Sequence, residues 1–203
     1  LYTDVANAAF FTIFYVPMVP IIIFIFKKDF LHWSVWPSVI LCLIGGYLLT
    51  NFQDATVRLG DTLVVLGALF WSTHIIFTGM IVKKYNLPLT IGAIQTLLVA
   101  LFSFIIGLFS EEFVLDNILN EIDSILYAGI LSGGFAFVLQ IYAQRNITPA
   151  PAAIIFSLEG VFATIAAWFI LNQILGINNL LGCFFILSGV LLSQLVPLIK
   201  KTA

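Results

Sequence analysis

Residues 160–199 read GVFATIAAWFILNQILGINNLLGCFFILSGVLLSQLVPLI, forty positions without one Asp, Glu, Lys or Arg. A bilayer core about 30 Å thick is crossed by about 20 helical residues, so this run is long enough for two spans. Only Asn172, Gln173, Gly176, Asn178 and Asn179 mark a turn between them. The rest of the chain has the same character. Of its 203 residues 62% are hydrophobic and 9% charged, with a mean hydropathy of +1.14. A soluble domain carries roughly a quarter charged residues, so too little polar surface is present here to coat a water-facing globule. The fold class expected is all-α, a polytopic membrane helical bundle.

Apolar stretches near the spanning length number seven, all but the sixth free of charge. They are Val5–Phe26, Trp33–Phe52, Thr62–Val82, Thr90–Phe109, Ser124–Ala143, Ala150–Leu171 and Asn179–Val196. The first lacks the basic flank and small-residue cleavage site of a secretory signal. A formal charge of −2, with no basic cluster longer than a Lys pair, leaves no electrostatic footprint for nucleic acid. Cys42 and Cys183 each lie inside an apolar run and read as packing residues. No metal ligand set and no cofactor is expected.

Orientation follows from the basic residues, because short Lys/Arg-bearing connections stay in the cytoplasm. Alternate connections place Lys27, Lys28, Lys83, Lys84, Arg145, Lys200 and Lys201 on one face and only Arg58 on the other. The acidic stretch Glu111, Glu112, Asp116, Glu121 and Asp123 lies on the poor face. The expected location is the plasma membrane, a bacterial inner membrane, with the C-terminus cytoplasmic and residue 1 on the outer side.

The second and last spans resemble each other. Leu43-Ile44-Gly45-Gly46-Tyr47-Leu48-Leu49-Thr50 matches Ile186-Leu187-Ser188-Gly189-Val190-Leu191-Leu192-Ser193, an offset of 143 residues that aligns Gly46 with Gly189. Over that offset the helix end moves from the outer to the inner face, the mark of an inverted repeat with an odd number of spans per unit. Residues 62–197 then form one complete five-helix unit, and residues 1–52 the last two helices of its inverted partner. About three upstream helices are expected, which accounts for a chain that opens on Leu1.

The stretch Tyr2-Thr3-Asp4-Val5-Ala6-Asn7-Ala8-Ala9-Phe10-Phe11-Thr12, continuing to Val19-Pro20, resembles the third-to-fourth helix junction of EamA-type transporters of the drug/metabolite transporter superfamily. So does the run from Tyr127 to Glu159, above all Ala143-Gln144-Arg145-Asn146-Ile147-Thr148-Pro149-Ala150-Pro151-Ala152-Ala153 and Phe156-Ser157-Leu158-Glu159. The resemblance implies ten helices in two inverted repeats, with a substrate cavity between them. Two positions depart from the family pattern: Glu159-Gly160 stands where Glu-Pro is usual, and Asn172-Gln173 where Gly-Glu is usual.

Glu159 is the one acid well inside a span. An ionised carboxylate at the bilayer centre costs at least ~2.5 kcal/mol unless it faces a cavity, pairs or takes up a proton. It is expected to face inward, sharing a helical face with Ala152, Phe156, Ala163 and Ala166. Two readings stand: a group that titrates protons or contacts a cation, or a neutral acid joining two helices. His74 shares its face with Gly67, Trp71, Phe77 and Thr78. It either lines a cavity with Trp71 and relays protons or is a packing histidine. Gln95, near the start of its helix, reads first as an interhelical hydrogen-bonding residue, with contact to a polar substrate as the alternative. Gln140, beside Gly133, Ala136, Ala143 and Gln144, reads as cavity lining. Asn7 joins these as a pathway candidate. Gly129 with Gly133, and Gly189 with Ser193, read as close-packing pairs, and Pro17 and Pro20 predict a kink in the first span.

The function expected is secondary-active transport of a small amino-acid-like, polar or amphipathic solute, with proton-coupled export, and not an enzyme. The partners are the lipid bilayer, a small-molecule substrate and protons, with a homodimer left open. No GxxxxGK[ST] loop is present, so the chain does not hydrolyse ATP itself. The alternatives are an intramembrane enzyme and a seven-helix receptor-like protein. The first lacks a GxSG-like serine or a mid-membrane aspartate pair, since Asp4, Asp54 and Asp61 fall at edges. A retinal-type receptor needs a mid-span Lys, and all the lysines lie at span ends. Reading the gene upstream is expected to reveal a Met and about three further spans; a stop codon directly before Leu1 would overturn the ten-helix reading.

Overall fold

A computed structural model of the chain describes residues 2–3, 5–27, 31–50 and 58–199, apart from the side chains of Val5, Ala6, Lys27 and Asn117. Leu1, Asp4, Lys28, Asp54, Lys200 and Lys201, which entered the reading of edges and orientation, lie outside the described residues, as does the end of the second predicted span, 51–52. Every regular element among the described residues is helical. In chain order they are α1 (Val5–Thr12), α2 (Tyr15–Lys27), α3 (Val35–Thr50), α4 (Leu59–Tyr85), α5 (Pro88–Ser110), α6 (Leu115–Asn120), α7 (Ile122–Leu126), a π-helical segment (Tyr127–Ala136), α8 (Phe137–Gln144), α9 (Pro149–Phe156), α10 (Leu158–Leu171) and α11 (Ile177–Ile199). Six stretches are long and apolar enough to cross a membrane, and α3 supplies a shorter apolar helix at the second predicted span.

The turn between the last two spans falls where the Asn residues announced it. Asn172 caps α10 in the left-handed region at φ 51°, the conformation that asparagine tolerates better than most residues. The interruption that Pro17 and Pro20 predicted in the first span falls one turn before Pro17. Helix α2 runs through Pro17 and Pro20, and the break is at Ile13–Phe14. Pro17 has no N–H to offer the Ile13 carbonyl and its ring crowds that oxygen. The carbonyl accepts from Val16 N at 2.9 Å instead, a tighter turn that ends the α-helical pattern there.

The described chain divides into two compact units, Leu1–Phe77 with Thr148–Ala203, and Thr78–Ile147. In the first, α3 and α11 form the most extensive helix pair. Glycines allow it: a Cβ at Gly182 would lie 2.8 Å from the Gly45 carbonyl oxygen, and one at Gly189 would lie 2.8 Å from that of Ser38. Small residues let backbones approach where no water is present to drive apolar association. Phe10 of α1 packs edge-on to Tyr47 of α3, centroids 5.9 Å apart. The start of α4 is tied to the chain before α1: the Asp61 carboxylate accepts from Arg58 N at 2.8 Å and from the Thr3 hydroxyl. The first of these is the reach-back half of a capping box.

In the second unit α5 packs on α8 at Gly92, whose Cβ would meet Val138 Cγ2 at 3.0 Å. Arg145 donates to Asn86 Oδ1 at 3.1 Å and lies over the Tyr142 ring. The Gly129/Gly133 pair does not join two helices as expected. Nothing lies within 4 Å of a Cβ at Gly129, and Gly133 meets the Ala128 carbonyl of its own segment at 3.2 Å. The segment is π-helical, so its turn closes at i+5 and residues four apart no longer stack on one face. Its outer side is apolar and bare, with Tyr127 67% and Ile130 63% exposed, as suits a surface solvated by lipid.

Gly182→Val is expected to lower the thermal midpoint of the detergent-solubilised protein by several degrees, because overpacking a tight contact costs about 1–3 kcal/mol. Gly67→Ala, where no atom lies within 4 Å, should leave the midpoint unchanged or raised, since Ala is the better helix former by about 1 kcal/mol. Equal midpoints for the two variants would remove the α3–α11 contact from its central place.

Candidate functional site

The apolar run of the sixth span is interrupted at Ser157-Leu158-Glu159-Gly160. Helix α9 stops at Phe156 and α10 begins at Leu158, with Ser157 between them at ψ −15°. The serine closes the gap chemically. Its hydroxyl donates to the Ile154 carbonyl at 2.6 Å and also reaches the Cys42 sulfur on α3 at 3.4 Å. A break in backbone hydrogen bonding inside a membrane is tolerated only where other groups or a cavity take over.

That break borders a cavity of about 750 Å³. Thr12 and Ile13 enter from the end of α1, Leu49 and Thr50 from the end of α3, and Glu159, Ala163 and Thr164 from α10. The size suits a small organic molecule. Glu159 stands in the first turn of α10, where a helix N-terminus favours negative charge. Among the described residues no side chain forms a hydrogen bond or an ion pair with it. Tyr15 is 1% exposed, and its hydroxyl has no hydrogen-bond partner among the described residues.

The expected face of Glu159 is only half present. Ala163 lines the cavity with it, but Ala152 is buried and Phe156 half-buried, both on the far side of the break. A continuous helix was assumed in aligning them, and the interruption at Ser157 removes that assumption. Thr12, Thr50, Thr164 and Ser157 were not singled out in the sequence. Their signal was weak: each is a small polar residue in an apolar run, and three belong to spans far apart in the chain.

The other candidates have different surroundings. His74 stacks on Trp71 within α4, ring centroids 4.9 Å apart at 14°, and neither is among the cavity-lining residues. Asn7 is 3% exposed in α1, with its Nδ2 unpaired among the described residues. In the second unit Gln95 donates to Thr78 Oγ1 at 3.1 Å, a bond between α5 and α4. Gln140 is half-buried on α8, with its Nε2 unpaired among the described residues. The structure therefore pairs Trp71 with His74 and sets Glu159 in a cavity that contains none of the other candidates of its own unit. No cluster of metal-binding side chains occurs among the described residues.

Comparison with known proteins agrees with this architecture. Residues 58–195 match the model of the EamA-like transporter family. A protein of Archaeoglobus fulgidus named uncharacterized transporter is 30% identical over 96% of this chain and 62% of its own length. Uncharacterized transporter YoaV of Bacillus subtilis is 27% identical over 75% of this chain and 52% of its own length. Protein WALLS ARE THIN 1 of Arabidopsis thaliana is 26% identical over 78% of this chain and 40% of its own length. The chain thus spans between two fifths and about three fifths of the length of these curated relatives.

A cysteine introduced at Ala163, in a Cys183→Ser background, is expected to react with a water-soluble maleimide in membranes. One at Ala153, which is 0% exposed, should stay unlabelled, as should the native Cys42, also 0% exposed. Equal labelling at 153 and 163 would mean that the cavity is not the accessible space described.

Proposed function

Since the chain belongs to the EamA-like transporter family, we propose that the whole protein is a secondary-active exporter of a small polar or amphipathic metabolite, amino-acid-like in size, driven by protons. It is a multi-pass membrane protein, and the seven-to-one bias of basic residues favours a plasma-membrane orientation with the C-terminus in the cytoplasm. Residues 62–197 are one five-helix repeat and residues 1–52 the last two helices of an inverted partner. The helix breaks support that assignment from outside the sequence match. The break at Ile13–Phe14 and the break at Ser157 correspond under the same 143-residue offset that aligns Gly46 with Gly189, and interrupted helices at corresponding positions of two repeats are a usual place for a transport site.

The observation that carries the reading is Glu159 in the wall of a 750 Å³ cavity. A membrane carboxylate without a cationic partner takes up a proton when its surroundings dry and releases it when water returns. Coupling then needs only that the cavity open alternately to the two sides, and the two breaks give the bordering helices a place to bend. Gln140 in the second unit is proposed as a polar contact on the pathway. Trp71 and His74 are proposed as a stacked pair that supports α4, with a proton-relay role for His74 as the alternative. Gln95 is proposed as a helix-tying residue, and Asn7, whose buried Nδ2 has no hydrogen-bond partner among the described residues, as a polar contact on the pathway.

In liposomes holding the full-length protein, export of an accepted solute is expected to follow an imposed pH gradient. Glu159→Gln should abolish that dependence while leaving downhill exchange of solute measurable. Gradient dependence unchanged in the variant would make Glu159 structural.

A further inference from the structure

The hydroxyls in the Glu159 cavity have already given away their protons. Thr12 Oγ1 donates to the Ala8 carbonyl at 2.8 Å, Thr50 Oγ1 to that of Gly46 at 3.0 Å, and Thr164 Oγ1 to that of Gly160 at 2.8 Å. Ser157 does the same toward Ile154 at 2.6 Å. A hydroxyl whose single hydrogen is held by its own helix offers a neighbour only lone pairs. The remaining polar group is the carboxylate of Glu159, an acceptor when ionised. Among the described lining residues there is no Lys, Arg, His, Asn, Gln or Trp, hence no side-chain N–H to meet an anion. Between the acceptors lie Ala9, Ile13, Leu49 and Ala163, an apolar wall.

We infer that this cavity binds an organic ammonium ion: a primary or secondary amine on an apolar body, its N–H groups shared between the Glu159 carboxylate and the threonine oxygens. The inference rests on the transporter reading for its purpose and narrows the substrate class within it. An acidic solute would face a carboxylate and, among the described lining residues, hydroxyl oxygens with no side-chain N–H beside them, an arrangement that disfavours it. A neutral alcohol could donate one hydrogen bond but would forgo the charge-assisted contact, which is roughly twice as strong.

Three probes share one ring and differ only in the head group: phenethylammonium, phenylacetate and 2-phenylethanol. Titrated calorimetrically into the full-length protein in lipid nanodiscs, phenethylammonium is expected to bind saturably, the alcohol at least tenfold more weakly and phenylacetate weaker still. Glu159→Gln should weaken the amine at least tenfold, to the level of the alcohol. Thr164→Val, a milder change, should weaken it severalfold and stands in if the first variant is not monodisperse. Phenylacetate binding as tightly as the amine, no amine binding, or amine binding indifferent to both substitutions would each overturn the inference. Binding is read at equilibrium, so it separates from transport. A protein that binds the amine through Glu159 yet carries no solute across a liposome keeps the site and loses the transport reading. One that exports an acidic or neutral solute and ignores the amine keeps transport and loses the site.

Discussion

Inside hydrocarbon a backbone N–H or C=O that leaves its helix must find another partner, at a cost of several kcal/mol if it does not. Among the described residues the α-helical pattern is interrupted within the spans at Ile13–Phe14, Tyr127–Ala136 and Ser157. Each is met locally. At the first, Val16 N takes the carbonyl that Pro17 cannot serve; at the second, the whole ladder shifts to π register; at the third, the Ser157 hydroxyl takes the Ile154 carbonyl. Two of the three border the Glu159 cavity, which is where irregular backbone is tolerated at membrane depth.

Close packing of α3 on α11 gives that cavity its wall. Helix α3 ends in Leu49 and Thr50, which face the cavity, and the same Leu49 lies 2.8 Å from where a Cβ of Gly182 would stand. The glycine contact and the cavity lining are therefore two sides of one residue. A side chain added at Gly182 would push Leu49 toward Glu159 and reduce the space there. Packing in the first unit, for this reason, is also a determinant of what the cavity can hold.

Much of this was legible in the sequence, because a bilayer imposes a length and a polarity that composition reveals directly. The predicted span Thr90–Phe109 lies inside the observed Pro88–Ser110, and Ala150–Leu171 ends on the residue where α10 ends. What was not legible concerns hydrogen-bond register. The π segment has no special residue in it that periodicity detects, and its glycines looked like a packing motif because an α-helical turn was assumed. The site was read in part for a similar reason. Glu159 stood out by the cost of its charge, whereas Thr12, Thr50 and Thr164 carry no charge and line one cavity only when the ends of α1 and α3 lie beside α10.

The two cavity-side breaks differ in how they are enforced, and the difference has a physical consequence. Position 17 is proline, which removes an N–H permanently, so the break before it persists whatever the surroundings. The residue at the corresponding offset is Gly160, which keeps its N–H and donates it to the Ser157 carbonyl at 3.2 Å. The break beside Glu159 is held by hydrogen bonds that can be exchanged, chiefly those of Ser157. One interruption is fixed by covalent structure and the other by hydrogen bonds of a serine that also touches Cys42 on α3.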